Sequence, residues 1–455
     1  MILYGENPQL ELAYEYLEKS RSQIEKTLEL ERSKENHEKL TLEILDLLAL
    51  FRKVPVSGYE DGAVEMFNKC LTLILDTICD ENFGFDRSLG YRMAEYSAMI
   101  SNIAFSCDVK DTSSYIDKVK NQKDGMYKRI ILTSARNSRE ELEDLSSHYG
   151  EDVPLFNNWA SNIFQVASAG LIDKRVVDNM DFIASVVVKH DFEWGMSSGD
   201  LFNCVTYMQS PYEKELKKHI SKCFQKTFST SKELKLKKTK KIAIYSENWF
   251  NGHSTHRTVA KYIHALKGKY ELTLLHGERH KQALQAIDTD VDLFTHKHQI
   301  AIFGLFDPLE LSIVGPSNQD YDVLIFPDAG FDVLSIILAN MRIAPVQINM
   351  TGFPISIFDS NIDYFISGED VELESEVYNN YTERCVLLPG FGAVHTRPTY
   401  SHDFIEPKKS DKILIGGSWI GPKTHYVLVD ALREIFKSVT KELSLIHISE
   451  PTRPY

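Results

Sequence analysis

KIAIYSENWFNGHSTHRTVAKYIHAL, residues 241–266, decides how the second half of the chain is to be read. Its first six residues are compact and apolar, as a strand covered on both faces should be, and its last dozen carry Val259, Ile263 and Leu266 at helical spacing. Between them lies a turn that holds Asn251, His253, His256 and Arg257. A βα turn needs little more than a glycine and a cap, so this polar cluster points to a site. Ser254 is the expected N-cap, and the unpaired N–H groups of a helix start favour a hydroxyl or an anion there over a charged imidazolium. The structural alternative is that His253 only caps the helix and His256 faces solvent. Seven of the fifteen histidines fall between 253 and 298, so most of them have no catalytic role.

The same grammar continues downstream. YELTLLHG (270–277), DVLIFPD (322–328), APVQINM (344–350), IDYFISG (362–368) and RCVLLPG (384–390) are further short apolar runs, with helical stretches at 254–267 and 331–341 between them. Strands alternating with helices predict a doubly wound α/β lobe with a parallel sheet, whose ligand sits beyond the carboxyl ends of the strands. KILIGGS (412–418) and HYVLVDALREIFKSV (425–439) read as the first strand and helix of another such lobe.

Upstream the texture differs. Apolar residues recur at helical spacing from Leu10 to about Phe228, for example Ile44, Leu47, Leu48 and Phe51, then Val64, Phe67, Leu71, Ile74 and Leu75. An all-helical domain over 1–228 follows, without the sustained 34-residue period of a tetratricopeptide solenoid. The lysine-rich stretch STSKELKLKKTKK, 229–241, reads as a solvated linker.

Composition limits the function. The chain has 455 residues, 43% hydrophobic and 25% charged, with a net charge of −14, which argues against a dedicated nucleic-acid partner. Six cysteines without C-x-x-C spacing suggest neither a zinc site nor a disulfide framework. The N-terminus lacks a basic region followed by an apolar one, and no uncharged run is long enough to span a bilayer, so a cytoplasmic protein without stable membrane insertion is expected. DTDVD (288–292) reads as a charged turn before it reads as a metal-binding D-x-D. GGSWIGPKT (416–424) fails as a phosphate-binding P-loop because Pro422 removes a needed N–H. No G-x-G-x-x-G follows KIAIYS, which speaks against a dinucleotide dehydrogenase.

Three blocks carry a resemblance: ENWFNGHSTHRT, MRIAPVQINMTGFPISIFDSNIDYFISGED (341–370) and ILIGGSWIGPKTHYVLVDALREI (413–435). Together they resemble glycosyltransferase family 41, the O-GlcNAc transferases and the bacterial cytoplasmic N-glycosyltransferases that modify high-molecular-weight adhesins. The adhesin-modifying branch is the more similar. The resemblance implies a GT-B architecture: a first, acceptor-side Rossmann-like lobe at 242–408 and the start of a nucleotide-sugar-binding lobe at 409–442. It also implies metal-independent, inverting transfer from a UDP-hexose to Asn or Ser/Thr of a surface protein, with no cofactor beyond that donor substrate.

By the same resemblance, His253 and Arg257 take catalytic positions. Lys423, Ser418, Gln347, Gly352, Phe353 and Pro354 take substrate-binding ones. Lys423 has a physical warrant, since departing UDP develops negative charge that a cation must stabilise in the absence of a metal. His256 and Phe353 depart from the branch, which tends to have tyrosine and histidine there. The tail LSLIHISEPTRPY (443–455) resembles a translated sequencing-library adapter. The gene is therefore expected to continue past about Glu442, and the chain as written is expected to be inactive. The alternative function is a non-catalytic, glycosyltransferase-like partner subunit of a protein-glycosylation complex.

Overall fold

The computed structural model describes residues 34–51, 61–165, 172–190, 198–228, 234–250, 253–277, 292–303, 310–314, 321–373, 377–395, 413–417, 425–438 and 443–447, together with positions 15, 19, 21, 22, 26, 290 and 375. The chain divides into two compact units. One comprises residues 1–197, 204–210 and 413–450, and the other 198–203, 211–412 and 451–455.

The first unit is built from helices: α1 (Lys34–Phe51), α2 (Asp61–Cys79), α3 (Arg87–Ala94), α4 (Ser97–Ser106), α5 (Ser113–Val119), α6 (Gly125–Leu132), α7 (Arg139–Ser147), α8 (Val153–Ile163) and α9 (Lys174–Lys189). Ile44, Leu47 and Leu48 of α1 and Phe67, Leu71, Ile74 and Leu75 of α2 are buried in one core with residues of α3 to α6. Side-chain caps fix several starts. Asp86, Asp152 and Asp173 accept from the third helical N–H of α3, α8 and α9, and Ser138 with Glu141 closes a capping box on α7.

Residues grouped with this unit also include β9 (Ile413–Gly417), α15 (Tyr426–Ser438) and β10 (Leu443–His447). β10 pairs with β9 in parallel, Leu443 opposite Ile413, making a βαβ unit. None of the residues of α15 is buried.

The second unit holds α11 (Glu213–Thr227), β1 (Lys241–Tyr245), α12 (Ser254–His264), β2 (Glu271–His276), β3 (His296–Phe303), β4 (Glu310–Val314), β5 (Val323–Phe326), α13 (Val333–Asn340), β6 (Val346–Asn349), β7 (Tyr364–Gly368), α14 (Val377–Asn380) and β8 (Arg384–Leu388), with α10 (Ser198–Met208) divided between the two units. The eight strands form one sheet in the order β4-β3-β2-β1-β5-β6-β7-β8. Neighbours are parallel except β3 and β4, which run antiparallel at one edge. This is a Rossmann-like α/β sheet. Sequence reading found six of these strands and missed β3 and β4. Ile242, Ile244, Leu272, Leu274 and Ile325 from the sheet are buried with Val259, Ala260 and Ile263 of α12.

The change of sequence texture at 229 does not coincide with the start of this unit, because α11 packs on it. Ser221 Oγ donates to Ile357 O at 2.9 Å, and Gln225 Nε2 donates to Asp359 O at 2.7 Å. Lys217, fully buried, pairs with Glu213 one turn back and lies 4.5 Å over the Phe202 ring. Burial pulls its pKa down, and the charges of Glu213 and Glu383 oppose that pull. Among the described residues no helix is long and apolar enough to cross a membrane.

A buried ammonium left without its carboxylate is more costly than the intact pair is favourable. Glu213→Ala is therefore expected to lower unfolding free energy by about 3–5 kcal/mol, and the double change Lys217→Met, Glu213→Leu by much less. Urea unfolding of the three proteins measures both; equal losses would refute the uncompensated-charge account.

Candidate functional site

β1 sits at the centre of the sheet. The chain leaves it on one side toward β2 and β3 and later returns on the other through β5, β6, β7 and β8, so the direction of winding reverses between β1 and β5. Helices diverge at such a point and leave a crevice beyond the carboxyl ends of the two strands, where α/β sheets bind ligands. The residues at that position are Ser246, Glu247 and Asn248 after β1 and Pro327, Asp328 and Ala329 after β5.

Asp328 is the centre of this arrangement. It is 1% exposed, and its Oδ2 accepts from Asn248 Nδ2 at 2.8 Å and from Thr255 Oγ1 at 3.1 Å. Its Oδ1 is buried with no hydrogen-bond partner, and so is Oδ1 of Asn248. Burial pushes the carboxyl up to about 6, against the hydrogen bond from Asn248 and with help from the nearby Asp332 charge. The Tyr245 phenol, raised well above its ordinary value chiefly by burial, donates to Asp332 Oδ1 at 3.0 Å.

The loop after β6 closes over the same strand ends. Ala329 N donates to Asn349 Oδ1 at 3.2 Å, Met350 N to Phe326 O at 2.9 Å and Gly352 N to Pro327 O at 2.9 Å. A Cβ at Gly352 would lie 2.4 Å from Pro327 O and 2.9 Å from Thr255 Cγ2, so only glycine permits this approach. Gly330, at φ +95°, supplies the left-handed turn that leads from β5 toward α13.

His253, and not the expected Ser254, is the N-cap of α12. Its Nδ1 accepts from Thr255 N at 3.2 Å, which in the neutral ring puts the proton on Nε2. The imidazole meets the edge of Phe331 at 5.6 Å, and Phe331 meets Phe353 at 5.5 Å. His253, Thr255, Gly352 and Phe353 are thus brought together around the crevice. Phe353 is buried and Pro354 beside it is exposed. Arg257 stands one turn along α12, its N–H donating to His253 O, with its side chain half-buried.

Gln347 is not part of this group. Its fully buried amide accepts from Ile343 N and Ala344 N and donates to Met341 O and Asn361 O, so both ends of the side chain are committed to backbone. Lys423, Ser418 and Asn251 lie outside the described residues. The charged turn at 288–292 has a definite job at Asp290, which accepts from His256 at 2.8 Å and His264 at 3.0 Å. Burial would raise that carboxyl, but the two histidines hold it below its ordinary value. His256 therefore does not face solvent; it is buried between Asp290 and the Trp249 ring. Among the described residues no three His, Cys, Asp or Glu side chains are arranged to hold a metal ion.

Sequence reading missed Asp328, Asn248 and Thr255. The available signal was an aspartate ending an apolar strand, which gains meaning only once that strand is known to flank the point of reversal.

The sequence matches no established protein family and no curated protein. Among solved structures, a point mutant of the O-GlcNAc transferase of Thermobaculum terrenum is similar over 96% of this chain and 69% of its own, at 10% identity and a TM-score of 0.40. A likeness at that score carries no argument about this chain.

A carboxyl raised in the folded state holds its proton more tightly there than in the unfolded chain. Its stabilising contribution is complete below about pH 4, the unfolded value, and is lost as pH rises through about 6. The stability of the parent relative to Asp328→Asn is expected to fall by about 2–3 kcal/mol across that window in urea unfolding. A difference that is flat with pH would show that Asp328 titrates normally.

Proposed function

We propose that the protein is a nucleotide-sugar-dependent glycosyltransferase that moves a hexose from a UDP-sugar to Asn or Ser/Thr of a surface or adhesin protein, with inversion and without a metal. One observation carries this reading. Two blocks that resemble family 41, about a hundred residues apart in sequence, converge on a single crevice, with Gly352 of the second against Thr255 of the first.

In the reaction, the acceptor oxygen or nitrogen attacks the anomeric carbon, the carbon–phosphate oxygen bond breaks, and UDP leaves with the electron pair. The geometry suggests how the work is divided. With Nδ1 tied to Thr255 N, His253 offers Nε2–H as a donor to a sugar or phosphate oxygen, beside the N–H groups and positive dipole of α12. Asp328, its carboxyl pushed up to about 6 by burial, is assigned to receive the acceptor's proton, directly or through a water. Arg257 adds positive charge one turn along α12, and Lys423 is assigned to the departing diphosphate.

The test uses the purified protein, a radiolabelled UDP-hexose and peptides containing Asn or Ser/Thr. Transfer is expected, unchanged by EDTA. His253→Ala is expected to lower turnover about 100-fold or more while costing only about 1 kcal/mol of stability as a lost cap. Absence of transfer from any UDP-hexose, or full activity in the variant, would overturn the reading.

A further inference from the structure

A Gly-Phe-Gly turn, residues 390–392, follows β8 and leaves the ring of Phe391 64% exposed. Its backbone is fixed from three sides. Gly390 and Gly392 take positive φ, and the turn lies so close to the end of β7 that a Cβ at Gly368 would meet Phe391 C at 2.1 Å. Asp370 N donates to Gly390 O at 3.0 Å, Thr351 Oγ1 to Gly392 O at 3.2 Å, and Val394 N to Thr258 O at 3.0 Å. Thr351 belongs to the loop that carries Gly352 and Phe353, and Thr258 to the helix that His253 caps. The turn therefore stands beside the crevice, at the same carboxyl edge of the sheet.

A large aromatic ring exposed to water on a backbone already fixed has little ordering entropy left to lose when a ligand packs on it. Its surroundings say which ligand. The chain carries no Lys, Arg or His from 343 to 383, and Glu369 and Asp370 at the end of β7 are exposed, with no ion-pair partner among the described residues. Cations lie on the other side, with Arg257 and Lys261 on α12. Asp370 is bonded to the residue next to Phe391, whereas α12 is bonded to Val394, three residues on. Carboxylates beside the ring disfavour the diphosphate of a nucleotide sugar and favour a neutral or basic ligand. Val371 and Leu373, both exposed, lie in the segment that Asp370 ties to the turn. Apolar side chains in succession fit a polypeptide better than a single sugar ring.

We propose that Phe391 is a specificity-determining residue for the acceptor polypeptide. An apolar side chain flanking the modified residue packs on its ring, and a basic side chain beyond that one faces Glu369 and Asp370. This rests on the transferase reading and adds to it the kind of acceptor sequence that is taken. Peptide binding is measured without transfer, so either reading can fail alone.

The test compares the labelled peptide Lys-Leu-Asn-Ala-Ser-Leu-Lys with the same peptide carrying serine in place of leucine, by fluorescence polarisation and by transfer from a radiolabelled UDP-hexose. The leucine peptide is expected to bind more tightly, and less so as salt is raised. Phe391→Ala should raise its dissociation constant and KM about tenfold, with kcat and melting temperature unchanged, and Phe391→Trp should restore both. The double variant Glu369→Gln, Asp370→Asn should remove the salt dependence. Equal binding of the two peptides, or equal binding by parent and Phe391→Ala, overturns the proposal even where transfer is seen. Binding that depends on Phe391 without any transfer overturns the transferase reading alone.

Discussion

One buried carboxylate ties together the three chain segments that make the crevice. Asp328 lies just after β5; its partners Asn248 and Thr255 belong to the turn after β1 and to the first turn of α12. Parallel strands bring their own carboxyl ends into line, but nothing in strand pairing sets where the next helix begins. That is set by side chains, and here Asp328 sets it, holding the start of α12 against the end of the adjacent strand. The loop after β6 then has little freedom: its Met350 and Gly352 N–H groups donate to Phe326 O and Pro327 O, Ala329 N donates back to Asn349, and Gly352 must approach where a side chain could not.

The same contact bears on the chemistry proposed for the crevice as well as on its order. Two hydrogen bonds satisfy one oxygen of Asp328, and the other oxygen is buried with no partner at hydrogen-bond distance, an arrangement that costs free energy in a finished core. Burial holds the Asp328 pKa high, and the Asp332 charge adds to it. His253 faces the Phe331 ring as a donor whose tautomer is fixed by the cap it makes.

How much of this could be read from sequence varies with how local each signal is. β1, β2, β5, β6, β7 and β8 announced themselves as apolar runs because each is a compact stretch in a parallel sheet. β3 opens with the polar His296, Lys297 and His298, and β4 is a short antiparallel edge strand, so a search for apolar runs passed both over. The stripe Leu216, Ile220 and Phe224 on α11 marks an amphipathic helix but not the unit it packs on, because periodicity says which face is buried and not against what. In the site, His253 stood out as a residue of unusual type in a turn, and Gly352 came only with the resembling block. Asp328 did not stand out, since its role depends on strand order, which no short stretch encodes. Gln347, taken from a resembling block, has both ends of its side chain hydrogen-bonded to backbone, a pairing that no short stretch announces.

The central claim is that the Asp328 carboxyl is desolvated at the point where the sheet reverses its winding. Carbon-13 NMR of the aspartate carboxyl carbons across pH 3–8, with Asp328→Asn to assign the resonance, measures this most directly. The account requires a midpoint near 6 for Asp328. A midpoint near 4, the value of a hydrated aspartate, would mean that water reaches the carboxyl and that the crevice is not the closed site described.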